Sequence, residues 1–132
     1  MTVEIFWLIV TALVTSLFWV PYILNRIAVR GLMGAMANPS AGDKPQPDWA
    51  VRAQKAHYNA VENLVIFAAL VLAAGIVGVS TPVTAAAAWI YFVARVVHYV
   101  VYVAGIPVLR TLSFAVAWAC EVAIALVLLG LL

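Results

Sequence analysis

Polar positions are sparse along this chain, and their spacing decides what the apolar stretches can be. Four uncharged or nearly uncharged runs reach membrane length, at residues 5–24, about 60–78, about 83–103 and about 112–131. Each is close to the ~20 residues that a helix needs to cross a hydrocarbon layer of about 30 Å. With their polar flanks, the helices are expected at about 5–28, 48–78, 83–104 and 109–131. Two connections are tight turns, Val79-Ser80-Thr81-Pro82 and Ala104-Gly105-Ile106-Pro107, so consecutive helices form hairpins. The one long connection runs from Asn25 to Asp48 and is rich in Gly, Pro and charge, with its loop at about 31–47 and Asp48 as the expected cap of the second helix. The predicted fold class is all-α: one integral membrane four-helix bundle, up-down-up-down, spanning 1–132.

Composition supports that reading. The chain is 67% hydrophobic and 9% charged, against roughly half and a quarter for soluble domains. Its single cysteine, Cys120, lies in an apolar run, which excludes a disulfide framework and a cysteine zinc site. A net charge of +2, with no basic residues interleaved among exposed aromatics, gives no footing for nucleic-acid binding. Residues 1–4 lack a basic segment, so the first span is expected to be retained rather than cleaved as a signal peptide.

The basic residues are one-sided. Arg26, Arg30, Lys44, Arg52 and Lys55 surround the long loop, Arg110 follows the last turn, and Arg95 lies within the third span. The two termini and the 79–82 turn carry no Lys or Arg. The positive-inside rule then puts the loop side in the cytoplasm and both termini on the non-cytoplasmic side.

Within the second helix, Arg52, Lys55, Asn59, Glu62 and Asn63 fall inside roughly a 100° arc. In the third, Tyr91, Arg95, His98, Tyr99 and Tyr102 do the same. Ionisable groups at membrane depth cost about 2.5–3.5 kcal/mol each on insertion scales, so they are seldom idle. A pocket at the loop-side boundary would be lined by Arg30, Arg52, Lys55, Asn59, Glu62, Arg95, Tyr102 and Arg110. The cationic surplus of that set points to an anionic ligand, because arginine forks bind carboxylates bidentately. A small zwitterion with more negative than positive groups fits, with Glu62 and Asn59 holding its amine. Tyr102 and Arg110 could stabilise a thiolate or an oxyanion.

Plainer roles compete for several of these residues. Glu62 and Arg95 could simply neutralise each other between helices. Arg26, Lys44 and Arg52 could be topology signals or lipid-headgroup contacts. His57 points away from the stripe and reads as packing, while Tyr91, Tyr99 and the tryptophans read as packing or interface residues. Gly75, Gly78 and the alanine run at 85–88 read as close-packing surface. Neither histidine has metal-ligand spacing with a carboxylate, and no nucleophile–histidine–carboxylate order is present.

At these residues the chain resembles the MAPEG family, membrane-associated proteins in eicosanoid and glutathione metabolism. The second-helix run Arg52-x-x-Lys55-Ala-His57-x-Asn59-x-x-Glu62-Asn63, the run Arg95-Val-Val-His98-x-x-x-Tyr102, the pair Arg110-Thr111 and the stretch from Arg30 to Asn38-Pro39 carry the likeness, in order, over nearly the whole chain. The nearest branch is the one containing microsomal prostaglandin E synthase and microsomal glutathione transferase. The resemblance implies a homotrimer of four-helix subunits that binds glutathione between neighbours near the cytoplasmic side. It implies that Arg110, with Tyr102 and Thr111, activates the thiol, and that Arg30, Arg52, Lys55, Asn59, Glu62, Arg95 and His98 hold the peptide. The expected partners are the lipid bilayer and a hydrophobic small-molecule substrate. A chain without long tails suggests a bacterial inner-membrane member.

The sequence also departs from the family. The synthase branch commonly has arginine where this chain has Lys55 and Tyr58, serine where it has Thr111, and no known role at Glu121. Glu121 is expected to be a buried, protonated packing residue, or else a partner of Arg95. The expected function is a glutathione-dependent transferase or peroxidase acting on a hydrophobic electrophile. The alternative is a non-catalytic lipid- or anion-binding protein of the same fold. A small multidrug exporter fits less well, because Glu62 is surrounded by cations.

Overall fold

The computed structural model describes residues 1–132 and is entirely helical outside its turns. In chain order the elements are α1 (Val3–Leu17), α2 (Val20–Met36), α3 (Asp48–Val77), α4 (Pro82–Ala104) and α5 (Pro107–Leu128). α1 and α2 together make one rod of membrane length, and α3, α4 and α5 make the other three. The result is a four-helix membrane bundle of alternating direction. In lipid every backbone polar group must be satisfied within its own segment, which is why spans of this composition become helices.

The first rod is not the single smooth helix expected from its apolar run. It is interrupted at Phe18-Trp19, just before Pro21. Pro21 has no N–H to give to the carbonyl of Leu17, so the ladder must open there. Tyr99 of α4 fills the break: its ring stacks on Phe18 at 3.9 Å, and its hydroxyl donates to the Phe18 carbonyl at 3.0 Å. A second kink lies at Gly31 (φ 73°, ψ 165°), after which helix resumes to Met36. The irregular loop is therefore 37–47, shorter than expected. It is tied down by Gln46, whose Nε2 donates to the Tyr22 carbonyl (2.8 Å) and to Asn25 Oδ1 (2.9 Å).

α3 has 30 residues, about 45 Å of helix, so roughly a third of it extends beyond the ~30 Å apolar layer. Its polar first turns are the part that protrudes. Asp48 is the first residue of this helix and makes no side-chain cap; Pro47 holds the cap position instead. At the other end, α4 starts with a reciprocal capping box between Thr81 and Thr84.

The core lies where α4 packs on α5 and where α1 and α3 cover them. Its members include Leu8, Phe67, Val71, Ala87, Ala88, Tyr91, Ala117 and Ile124. The alanines bring the α4 and α5 backbones close, which matters in lipid because packing rather than water exclusion drives helix association. Of the expected small packing residues, Ala87 and Ala88 are buried, whereas Gly78 is the left-handed cap of α3. Phe67 of α3 stacks on the buried ring of Tyr91 at 3.9 Å. At the end of the bundle that carries the chain termini, the buried Glu4 accepts hydrogen bonds from Ser80 Oγ (3.0 and 3.1 Å) and from Thr84 Oγ1. This carboxylate lies beside the first turn of α4, where the helix dipole favours negative charge.

Candidate functional site

The end of the bundle that carries the 37–47 loop collects the cations. α4 presents Tyr91, Arg95, His98 and Tyr102 along one face, at successive steps of four, three and four residues, so all four point inward. Tyr91, Arg95 and His98 are buried, and Tyr102 is half-buried. Arg95 reaches across to α3, where its Nη2 donates to Asn59 Oδ1 at 2.6 Å. Asn59 is steadied from below by Asn63, whose Nδ2 donates to the Asn59 carbonyl at 2.8 Å. One turn into α5, the Arg110 guanidinium lies over the Tyr102 ring, 4.7 Å from its centroid. His98 meets the edge of the same tyrosine at 5.5 Å and tilts against Phe114 at 6.2 Å.

Together these side chains line a hollow of about 300 Å3, walled by Asn59, His98, Tyr102, Arg110, Thr111 and Phe114. That volume is at the small end for a ligand pocket. The hollow has an unusual charge balance. Arg110 has no carboxylate partner, since the protein's one ion pair is Arg30–Asp43. Its side chain makes no hydrogen bond to the protein either; only the face of Tyr102 supports it. The Thr111 hydroxyl donates back to the Pro107 carbonyl (3.2 Å), leaving its oxygen free to accept. An anion brought to this hollow would therefore meet an unpaired guanidinium, with the Arg95–Asn59 pair behind it.

The other expected site residues lie elsewhere in the subunit. Arg30 closes on the loop: its Nε donates to the Lys44 carbonyl at 2.8 Å, and its Nη1 is 3.6 Å from Asp43 Oδ2. It borders a second, more polar hollow of about 630 Å3 with Arg26, Asp43, Gln46, Gln54 and Tyr58. The Ser40 N–H, helped by Arg30, holds the Asp43 carboxyl below its usual value of 3.8. Arg52 caps α4: its Nε donates to the Val103 carbonyl at 3.0 Å, a good place for a cation at a helix C-terminus. It can lie so close because residue 105 is glycine. A Cβ there would stand 3.2 Å from Arg52 Cζ, and the backbone is left-handed (φ 77°).

Lys55 and Glu62 are exposed on the outer side of α3. Glu62 forms no ion pair, so the neutralising Glu62–Arg95 contact expected from the sequence is not made; Asn59 takes that place. The set of eight thus divides. Asn59, Tyr102 and Arg110 share one hollow with Arg95 behind it, Arg30 lines another, Arg52 is a cap, and Lys55 and Glu62 face outward.

Phe114 was not anticipated from the sequence, although it lies four residues after Arg110 and so on the same helical face. Nor was the link between Tyr22 Oη and His57 Nδ1 (2.8 Å), which ties α2 to α3 and gives the packing role of His57 a partner. No three of the His, Cys, Asp and Glu side chains gather as metal ligands would.

Among known proteins, the model of the MAPEG family matches residues 5–130, almost the whole chain. No curated protein and no solved structure matches.

Proposed function

The chain belongs to the MAPEG family of membrane proteins, generally glutathione transferase- or peroxidase-like enzymes, and on that footing we propose that it is a membrane-embedded glutathione-dependent transferase or peroxidase. The reaction is attack by the glutathione thiolate on a hydrophobic electrophile that arrives from the bilayer. The observation that carries this reading is the unpaired Arg110 guanidinium over Tyr102, at the mouth of a hollow that also holds Asn59 and His98.

Glutathione has two carboxylates, one amine and one thiol, and the chemistry of this end of the bundle suits that inventory. Arg110 lowers the cost of the thiolate by placing fixed positive charge where negative charge develops. Tyr102 holds the guanidinium in place through its π face and offers a hydroxyl. Thr111, whose hydroxyl hydrogen is already engaged, accepts from a donor on the peptide. His98 shapes the wall, and the Arg95–Asn59 pair receives a carboxylate or a backbone group. Electrostatics of this kind strengthens to the extent that a bound ligand displaces water from the hollow.

A hollow of about 300 Å3 holds only part of such a tripeptide. Lys55 and Glu62, exposed on α3 in one subunit, would complete the site if a neighbouring copy of the chain covered that face, as would Arg30 beside its own hollow. Burying charged groups that would otherwise face lipid also favours assembly. We therefore include a homotrimer, the branch of prostaglandin E synthase and glutathione transferase, and a bacterial inner-membrane location with the loop side cytoplasmic, as parts of the proposal.

Titration calorimetry of the detergent-solubilised protein tests the first step: absence of glutathione binding at millimolar concentration rejects it. For the second step, Arg110→Ala is expected to cut turnover on the order of 100-fold or more while weakening binding far less. Binding without turnover across a panel of electrophiles would instead leave a non-catalytic anion-binding protein.

A further inference from the structure

Arg95 has an unsolved problem on its inner side. It is 2% exposed, and only its Nη2 finds an acceptor, on Asn59. Its Nε and Nη1 have no hydrogen-bond partner in the protein. The same holds for Oη of Tyr91, one turn earlier on α4, and for Oε1 of Glu121 on α5, where Glu121 is 4% exposed. Guanidinium nitrogens only donate, a carboxylate oxygen accepts, and a phenol does either. The orphaned atoms are therefore complementary in kind.

They are also neighbours. Tyr91 shares the core between α4 and α5 with Ala117, Cys120 and Ile124, which bracket Glu121 on α5, and Arg95 lies one turn further along the same face of α4. Yet the carboxylate and guanidinium stand more than 4.0 Å apart, since they form no ion pair. They are not in direct contact, so a molecule between them would satisfy both. A buried polar site of this kind is where proteins keep ordered water, which takes two to four polar partners. The other acidic candidate, Glu62, is exposed and forms no ion pair.

We infer that Tyr91, Arg95 and Glu121 enclose an internal water site, and that Glu121 is the counter-ion of Arg95 across it. Glu121 is then a positioning residue. It acts roughly three turns along α5 from Arg110, and holds the guanidinium so that Nη2 meets Asn59 at the wall of the hollow. Its effect on ligand binding rests on the reading that the hollow takes glutathione; the pairing itself does not.

The experiment is a double-mutant cycle on the full chain in detergent with Glu121→Gln, Arg95→Met and both together, read by glutathione titration and by melting temperature. Glu121→Gln preserves volume and removes the charge. It is expected to weaken glutathione binding about tenfold, the size of one coupling within a shared network, and to lose that effect in the Arg95→Met background. It is also expected to lower the melting temperature in the native background but not beside Arg95→Met, because removing both charges leaves none uncompensated. If Glu121→Gln alone fails to fold, Arg95→Met is expected to restore it; no restoration overturns the pairing. Equal shifts of melting temperature in both backgrounds overturn it too, whether or not glutathione binds. Native chain that ignores glutathione while the thermal coupling persists refutes the proposed function and leaves this inference standing. A twofold or smaller change in affinity for Glu121→Gln, in a native chain that does bind, overturns the positioning role.

Discussion

Replacing Asn59 by aspartate separates stability from ligand binding by their signs. Asn59 Oδ1 receives Arg95 Nη2 at 2.6 Å, and Asn59 also lines the hollow. A carboxylate at that position would turn a hydrogen bond from a charged donor to a neutral acceptor into a hydrogen-bonded ion pair, adding about 1 kcal/mol to the subunit. The same carboxylate would face any anion in the hollow. Two like unit charges about 5 Å apart repel by ~3 kcal/mol at an effective dielectric constant near 20. The hollow is partly open to water, so we reduce this to about 1.5–3 kcal/mol, or roughly 10- to 100-fold in Kd. Asn59→Asp is therefore expected to raise the melting temperature in detergent and weaken glutathione binding by one to two orders of magnitude. Asn59→Ala, which strips the buried Arg95 of its only protein partner, should lower both. The assays are differential scanning fluorimetry and titration calorimetry on the same preparations. An Asn59→Asp variant that is stabilised and binds glutathione as tightly as the native chain would refute the claim that this polar pair faces the ligand.

Three further outcomes follow from other parts of the molecule. Glu4→Ala removes the buried acceptor of the Ser80 and Thr84 hydroxyls and is expected to destabilise the bundle by about 3 kcal/mol in thermal unfolding, with Glu4→Gln costing less. Gly105→Ala forces a Cβ into left-handed backbone and to 3.2 Å from Arg52 Cζ, so it should cost about 1–2 kcal/mol, more than Arg52→Lys, in the same assay. The Asp43 carboxyl is held below 3.8 by Ser40 and Arg30, so its contribution to loop order is complete above that pH and is lost as pH falls through the lower folded value. Protease cleavage within 37–47, measured with an acid protease, should therefore rise only below about pH 4, and Asp43→Asn should raise it at neutral pH as well.

Much of this architecture was legible in the pattern of polar positions, because lipid leaves a chain so few options. The spans and the two short turns follow from run length and from Gly and Pro placement. The inward face of α4 was legible for the same reason: Tyr91, Arg95, His98 and Tyr102 share one arc of a helix. The interruption of the first rod was foreshadowed only by Pro21, and its closure by Tyr99 depends on a residue 81 positions away from Phe18. The α3 stripe misled in a specific way. Its members do share an arc, but that arc straddles the edge of the subunit, so Asn59 turns inward while Lys55 and Glu62 turn out. Helical periodicity gives a face and not what lies opposite it. Glu4 escaped attention because a carboxylate in the first turn reads as solvated, and its partners on Ser80 and Thr84 are 76 and 80 residues distant.

The two ends of the bundle handle buried polarity in opposite ways, and that contrast locates the chemistry. At the terminal end the Glu4 carboxylate meets three hydroxyl contacts from Ser80 and Thr84, beside a helix start that favours its charge. Nothing there remains for a ligand to do. From the middle of the bundle to the loop end, Tyr91, Glu121, Arg95 and His98 keep five buried polar atoms without partners, and Arg110 carries its charge with only a ring beneath it. A buried orphan costs about 1–3 kcal/mol, so a fold selected for stability alone would have replaced several of these side chains with apolar ones. His98 and Arg110 line the small hollow and Arg95 stands behind it on Asn59, whereas Tyr91 and Glu121 lie deeper in the bundle, so an anionic peptide and a neighbouring copy of the chain would supply partners at the hollow and internal water would supply them below it.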